Sequence, residues 1–338
     1  MDPNSEDYMR YLTVTTIAVM LSGTSLLGQE QSWNPPRTAD GRINLQGVWA
    51  NNAATPLERP DSLGDKALFT DEEVATLRST AQRLFGGADD AAFGDGVFNA
   101  VLANVEQNVS RDGGTGNYSS VWMVDREFEN RTSLVTIPSN GKLPALTAEA
   151  EQRLADATEY RRLHPADGPE DLSRQVRCIT YGIPRVGGLG AGYNSYYQIF
   201  QTPDYLVMLG EMIHDARVIP ISTMPHAHES IRQWHGDARG HWEGDTLVVE
   251  TTNYSPKANY RGSADKLHLV ERFTLGGPDR LHYEITVTDP TTWTNSWTAM
   301  APLSRSNDAL FEYACHEGNI GMAGILAGER VQESKATR

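Results

Sequence analysis

Cysteine is nearly missing from this chain. Cys178 and Cys315 are the only two in 338 residues, and their wide separation excludes a C-x-x-C zinc site. Also missing are the H-E-x-x-H helix of zinc proteases, the G-x-S-x-G elbow of α/β-hydrolases and the GK[ST] ending of a P-loop. The glycine-rich run GGLGAG at 187–192 does not complete G-x-G-x-x-G, because Tyr193 takes the last place. It reads as a flexible loop bordering a pocket. Positive charge is scarce too. Lys and Arg number 29 against 44 Asp and Glu, and the net charge of −15 repels nucleic acid and anionic membrane surfaces. No run of like charge is long enough to form an interaction tail.

One apolar stretch stands out. Residues 9–28, MRYLTVTTIAVMLSGTSLLG, join one Arg to an apolar run that ends in small residues, the outline of a secretory signal. Cleavage is expected after Ser25 or Gly28, with Met9 as a possible true start. A membrane anchor is the alternative, but the Thr and Ser content weakens it as a span, and no cysteine lies near for lipidation. Residues 1–28 are therefore assigned as signal peptide and 29–338 as a single exported domain, periplasmic or extracellular, with no membrane association in the mature form. In such a compartment Cys178 and Cys315 are expected to form one disulfide, two free buried thiols being the alternative.

The domain divides in character. Residues 29–174 read as helical and loop elaboration with the first strands. Strand 43–52 comes first, then a helix opened by the capping box Thr70/Glu73 and stopped near Gly86. RTSLVTIPSNGKLPAL follows as a strand, an Asn-Gly turn and a second extended piece, and Thr147 caps a helix to about Arg162. From 175 to 320 strand-like segments succeed one another: 196–202, 205–213, 216–221, 245–252, 267–275, 281–288, 296–303 and 309–315. No βαβ alternation occurs. The expected fold class is mainly β, an antiparallel lipocalin-like barrel with N-terminal helices and long loops.

Five blocks, LQGVWA, NRTSLVTIP, YYQIFQTPDYLVMLGEMIHDARVIP, RGHWEGDTLVVETTNY and EYACHEGN, resemble the signature blocks of a family of exported bacterial proteins with no assigned activity. The QGVW opening is also similar to the Gly-x-Trp entry of lipocalin-like barrels. The resemblance implies export and a barrel, and it carries no catalytic residues.

Chemistry concentrates in YLVMLGEMIHDARVIP, 205–220, where Glu211, His214, Asp215 and Arg217 interrupt an apolar segment. Read as strand, it places Glu211, Asp215 and Arg217 on one face with Tyr205, Val207, Leu209, Ile213 and Ile219, unless Gly210 forms a bulge. Three charges stranded in a packed core are costly, so this face is expected to line a polar cavity. Glu211, His214 and Asp215 are the acid–base candidates. Arg217 and Arg272 are the anion holders, with Tyr196, Tyr197, Glu250, Glu312 and His316 completing the binding wall. Structural ion pairs, Glu211 with Arg217 or Glu250 with Arg272, are the competing reading. His282, Glu284, Thr286 and Thr288 form a polar face assigned to solvent, and Trp242, Trp293 and Trp297 read as core or barrel-end residues. Five of nine histidines fall between 214 and 241, but His226 and His228 lack a suitably spaced carboxylate, so no metal and no cofactor are expected. These features point to an enzyme using side-chain acid–base chemistry (an isomerase, lyase or hydrolase) on a small organic or sugar-like molecule. The alternatives are a non-catalytic lipocalin-like carrier and a structural envelope protein.

Overall fold

Side-chain alternation sets the architecture. Leu281, Tyr283, Ile285 and Val287 are all buried, while the residues between them are half-buried, as a strand with one face on a core requires. The structure, a computed structural model, describes residues 33–85, 94–106, 126–182, 194–258 and 260–336, and all the elements below lie in the unit Pro35–Arg338. The signal-like segment 1–28, Gly86 and the 187–192 loop fall outside the described residues.

Ten strands make one sheet: β1 (Gly47–Ala50), β2 (Val135–Ile137), β3 (Tyr196–Gln201), β4 (Tyr205–Gly210), β5 (Ala216–Pro220), β6 (Asp237–Glu243), β7 (Thr246–Thr252), β8 (His268–Gly277), β9 (Arg280–Thr288) and β10 (Trp297–Ser306). Their order is β5-β4-β3-β1-β10-β9-β8-β7-β6, with β2 also paired to β10, and every pairing is antiparallel. The register carries a single inner face across the sheet. Leu206 lies opposite Ile219, Ile199 opposite Met208, Trp49 opposite Tyr197, and further on Phe273 lies opposite both Tyr283 and Leu247. These side chains belong to one buried cluster although they come from both ends of the sheet, so the sheet is strongly curled. Burying each large apolar side chain there contributes about 1.5–3 kcal/mol.

The curl stops short of a closed barrel. β5 and β6 pack side by side without a strand ladder between them; just past β5 an isolated parallel bridge joins Ile221 to Gly240, where the Ser222 N–H donates to the Gly240 carbonyl at 3.0 Å. β5 ends at Pro220, which has no N–H to continue a ladder. The closed lipocalin-like barrel expected from strand spacing is thus, in its hydrogen bonds, an open curled sheet.

Four α-helices stand among the described residues: α1 (Asp71–Phe85), α2 (Gly94–Leu102), α3 (Ala148–Leu163) and α4 (Ile320–Ala336). The capping box is formed: Thr70 Oγ1 accepts from the Glu73 N–H at 3.3 Å, and Glu73 Oε2 accepts from the Thr70 N–H at 2.9 Å. Val74 and Leu77 of α1 meet Phe98 and Val101 of α2 in a second cluster with Phe69 and Phe128. Thr147 caps α3, accepting from the Ala150 N–H at 3.1 Å. Among the described residues no helix is long and apolar enough to cross a membrane.

Several expectations are corrected. Strand 43–52 shrinks to β1. The segment 309–315 is no strand; it is irregular, with Phe311 exposed, and its backbone is used by a neighbouring turn. β6 and α4 went unread. β6, DARGHWE, shows no apolar alternation because its inward positions are Ala238 and Gly240, where a Cβ on Gly240 would already touch Ile219, Ile221 and Leu247 at 3.5 Å. The face from His282 to Thr288 is half-buried rather than open, with Thr286 bonded to Thr298 and Thr288 to Ser296. Trp293 and Trp297 are core residues in edge contact at 5.7 Å, and Trp242 packs half-buried against the same core.

Candidate active site

The charged stretch that looked like one long strand is a hairpin. β4 ends at Gly210, residues 211–215 reverse the chain, and β5 returns with Met208 opposite Arg217. The reversal passes through left-handed backbone at Ile213 (φ 66°) and His214 (φ 38°), a conformation that a β-branched residue adopts only when its surroundings enforce it. Met212 and Ile213 pack beneath the Cys178–Cys315 disulfide. The strap around Cys315 grips the turn: Glu211 Oε1 accepts from the Phe311 N–H at 3.2 Å, and His214 Nδ1 donates to the Tyr313 carbonyl at 2.9 Å.

This reversal overturns the expected face. Arg217 and Ile219 point inward with Leu206 and Met208, whereas Tyr205, Val207 and Leu209 point outward. Glu211 is buried in the turn and His214 is exposed on it.

Arg217 crosses the interior to β8. Its side chain is 4% exposed, and it grips Glu271, itself 1% exposed, with both terminal nitrogens, one contact measuring 2.6 Å. Thr251 Oγ1 accepts from Arg217 at 2.7 Å, and the Tyr283 hydroxyl donates to Glu271 at 2.9 Å. Burial opposes the charge on Arg217, but the Glu271 carboxylate outweighs it and holds the guanidinium pKa above its ordinary value. Burial, then the Glu271 charge, pushes the Tyr283 phenol well up; burial likewise raises Tyr254 and Tyr260. Glu271, absent from the expected site, therefore replaces Glu211 as the partner of Arg217. The pair is sealed in the core.

Asp215 has different company. Its Oδ1 lies 2.9 Å from His235 Nε2, and its Oδ2 accepts from Thr180 Oγ1 at 2.5 Å. Thr180 Oγ1 is also 3.4 Å from His235 Nε2 and accepts from the Gly182 N–H at 3.0 Å. Asp215 and His235 are 14% and 22% exposed, partly dry yet open to solvent. A carboxylate can only accept, so Nε2 carries the proton and Nδ1 presents its lone pair, with no hydrogen-bond partner among the described residues. His235 and Thr180 were not among the expected site residues. Nothing in the local sequence marks them, because Asp215 reaches them from a different part of the chain.

The remaining candidates do not converge on this point. Tyr197 is buried in the core and Tyr196 is half-buried on the outer face. Arg272 pairs with Glu243 at 2.7 Å rather than with Glu250, whose partners are His268 at 2.7 Å and His226 at 3.9 Å. The His268 hydrogen bond keeps Glu250 below the usual carboxylate range. Glu312 and His316 are exposed. His226 Nδ1 rests on Asp237 at 3.1 Å, and His228 turns to Ser230. Among the described residues no group of three or more His, Cys, Asp or Glu side chains could hold a metal ion.

No family model, no curated protein and no solved structure matches this chain.

Proposed function

We propose that the protein is an exported enzyme that performs acid–base chemistry on a small organic molecule, with His235 as the proton-transferring group. Asp215 fixes the imidazole tautomer and stabilises the imidazolium that forms when Nδ1 takes a proton. Thr180 holds the second carboxylate oxygen and so fixes the plane of the pair. This reading narrows the acid–base role within the hairpin to Asp215 and moves the proton itself to His235. It suits abstraction of a proton from water or from a carbon acid, hence a hydrolase, lyase or isomerase. The disulfide supports an oxidising, exported setting.

The observation that carries the reading is the Asp215 carboxylate held by His235 at 2.9 Å and Thr180 at 2.5 Å, with Nδ1 left available. The test is a panel of activated esters, lactones and glycosides, with turnover compared in wild type, His235→Asn and Asp215→Asn. Each variant should lose about 10²–10⁴-fold in kcat/KM. Full turnover in folded His235→Asn would refute it. The curled sheet with one inner face favours a second reading, a lipocalin-like carrier. Native mass spectrometry showing a co-purified ligand released on unfolding, with no turnover across the panel, would select that reading instead.

A further inference from the structure

A cleft of about 720 Å³, sharing no residue with the Asp215–His235 pair, lies where the segment 56–63 meets helix α2. Its size suits a small organic molecule. Pro56, Pro60, Leu63 and Leu102 give it apolar walls, and Arg59 and Lys142 give it cations.

Arg59 is the unusual member. It is 4% exposed, as deeply buried as Arg217. Arg217 has a bidentate carboxylate partner; Arg59 has no carboxylate within ion-pair distance among the described residues. Its Nε donates to Thr132 Oγ1 at 2.9 Å and its Nη2 to the Ser139 carbonyl at 3.4 Å, while Nη1 has no protein partner among the described residues. The seat is built around it. The Arg59 N–H donates to the Gly141 carbonyl at 2.8 Å, and a Cβ on Gly141 (φ 71°) would fall 3.0 Å from Nη2 and 2.5 Å from Ser133 Oγ. Only glycine leaves room there for the guanidinium.

Nη1 reaches solvent rather than being stranded, which leaves one edge of the guanidinium open, and a carboxylate matches that fork with two parallel hydrogen bonds. The other charges limit which anion fits. Lys142 Nζ is engaged by Asp61 at 2.5 Å, and Glu58, its Oε1 accepting from the Leu143 N–H at 2.9 Å, adds negative charge to the same cleft. The two cations and two carboxylates of the lining balance, so a dianion is disfavoured more than a monoanion that meets the open edge of Arg59. We infer that this cleft binds an organic monocarboxylate, its carboxylate on Arg59 and its apolar body against Pro56, Pro60, Leu63 and Leu102.

The test is calorimetric titration of the purified protein with sodium benzoate, sodium hexanoate and inorganic phosphate at fixed ionic strength. At least one carboxylate should bind saturably, and more tightly than phosphate. Arg59→Met, which keeps bulk and removes charge, should weaken that binding by at least about tenfold. Arg37→Gln, which removes an exposed charge outside the cleft, should change it by less than about threefold. Should Arg59→Met fail to fold, the Arg59 Nε–H resonance of the wild type, assigned against Arg59→Lys, should shift with benzoate and stay still with chloride. Binding unchanged in Arg59→Met, an unmoved resonance, tighter phosphate binding, or no binding of either carboxylate overturns the inference. None of these readouts depends on the Asp215–His235 pair being catalytic.

Discussion

Asp215 and Arg217 sit two positions apart, yet one meets solvent beside a histidine and the other is sealed in the core. The hairpin turn makes the difference, since Arg217 follows the inward parity of β5 while Asp215 closes the turn before it. The core pair gives a stability prediction. Removing one partner strands the other charge, so Arg217→Met should cost about 3–5 kcal/mol in urea unfolding. Arg217→Met combined with Glu271→Met leaves no stranded charge and should recover most of that loss. A double variant no more stable than the single one would mean that the core depends on the ion pair itself. That these residues were functional candidates was legible, because ionised groups inside an apolar run call for an explanation. Their partners were not. Asp215 reaches His235 and Thr180 across 20 and 35 positions, and Arg217 reaches Glu271 across 54, with no local spacing to announce any of them.

At the scale of elements, the two capping motifs announced α1 and α3, and alternation was readable in β9, where Leu281, Tyr283, Ile285 and Val287 mark one face. In β4, β7 and β8 the strands were readable but the inward face was not. Alternation failed where the inward residues were small, as in β6, and where apolar residues serve a contact outside the sheet, as in the strap around Cys315. That strap crosses the turn 211–215 and is tied to Cys178, two positions before Thr180, by a disulfide that spans 137 positions. The bond thus braces both sides of the Asp215 cluster. Cys178→Ser with Cys315→Ser should lower stability by about 2–5 kcal/mol, measured by chemical denaturation. Amide exchange should quicken at Phe311 and through 211–215 before it does in β8 and β9, since the strap's bonds to Glu211 and His214 lose their tether. Equal protection in the disulfide-free protein would show that packing of Met212 and Ile213 alone holds the turn. Removing the cap by Thr70→Ala should cost about 1 kcal/mol, read in the same denaturation series, and leave the Asp215 cluster untouched.

For the molecule as a whole, pH sets stability through two groups of side chains. Glu127, Asp237 and Asp289 are each held below the usual carboxylate range. Burial works against their charge, but hydrogen bonds from Arg280 and Ser304, from Ala227 and Arg239, and from Ser263, Thr291 and Thr292 outweigh it. A carboxylate depressed on folding contributes stability above its unfolded pKa, about 4, and loses it as pH falls through the folded value. His282 acts earlier. Burial first, then the charges of Arg131 and Arg280, lower its pKa, opposed in part by Glu129. The ring is also confined, since a Cβ at Gly276 would lie 2.6 Å from it. Unfolded histidine takes up a proton below about pH 6.5. The folded protein resists that proton, so the His282 contribution is present above pH 6.5 and declines as pH falls toward the folded pKa. Acidification therefore has two stages, a shallow loss beginning near pH 6.5 and a steeper one below about pH 4. The overall charge of −15 works the other way, because protonation relieves self-repulsion on approach to the isoelectric point near 5.0. Comparing wild type with His282→Gln isolates the first stage, since both share the same background charge at pH 8. Thermal midpoints taken from pH 8 down to pH 3.5 should show the variant gaining on wild type as pH falls below about 7. The two curves should run parallel once pH lies below the folded His282 pKa. A constant difference between them across the whole range would show that His282 is packed there without regard to its charge.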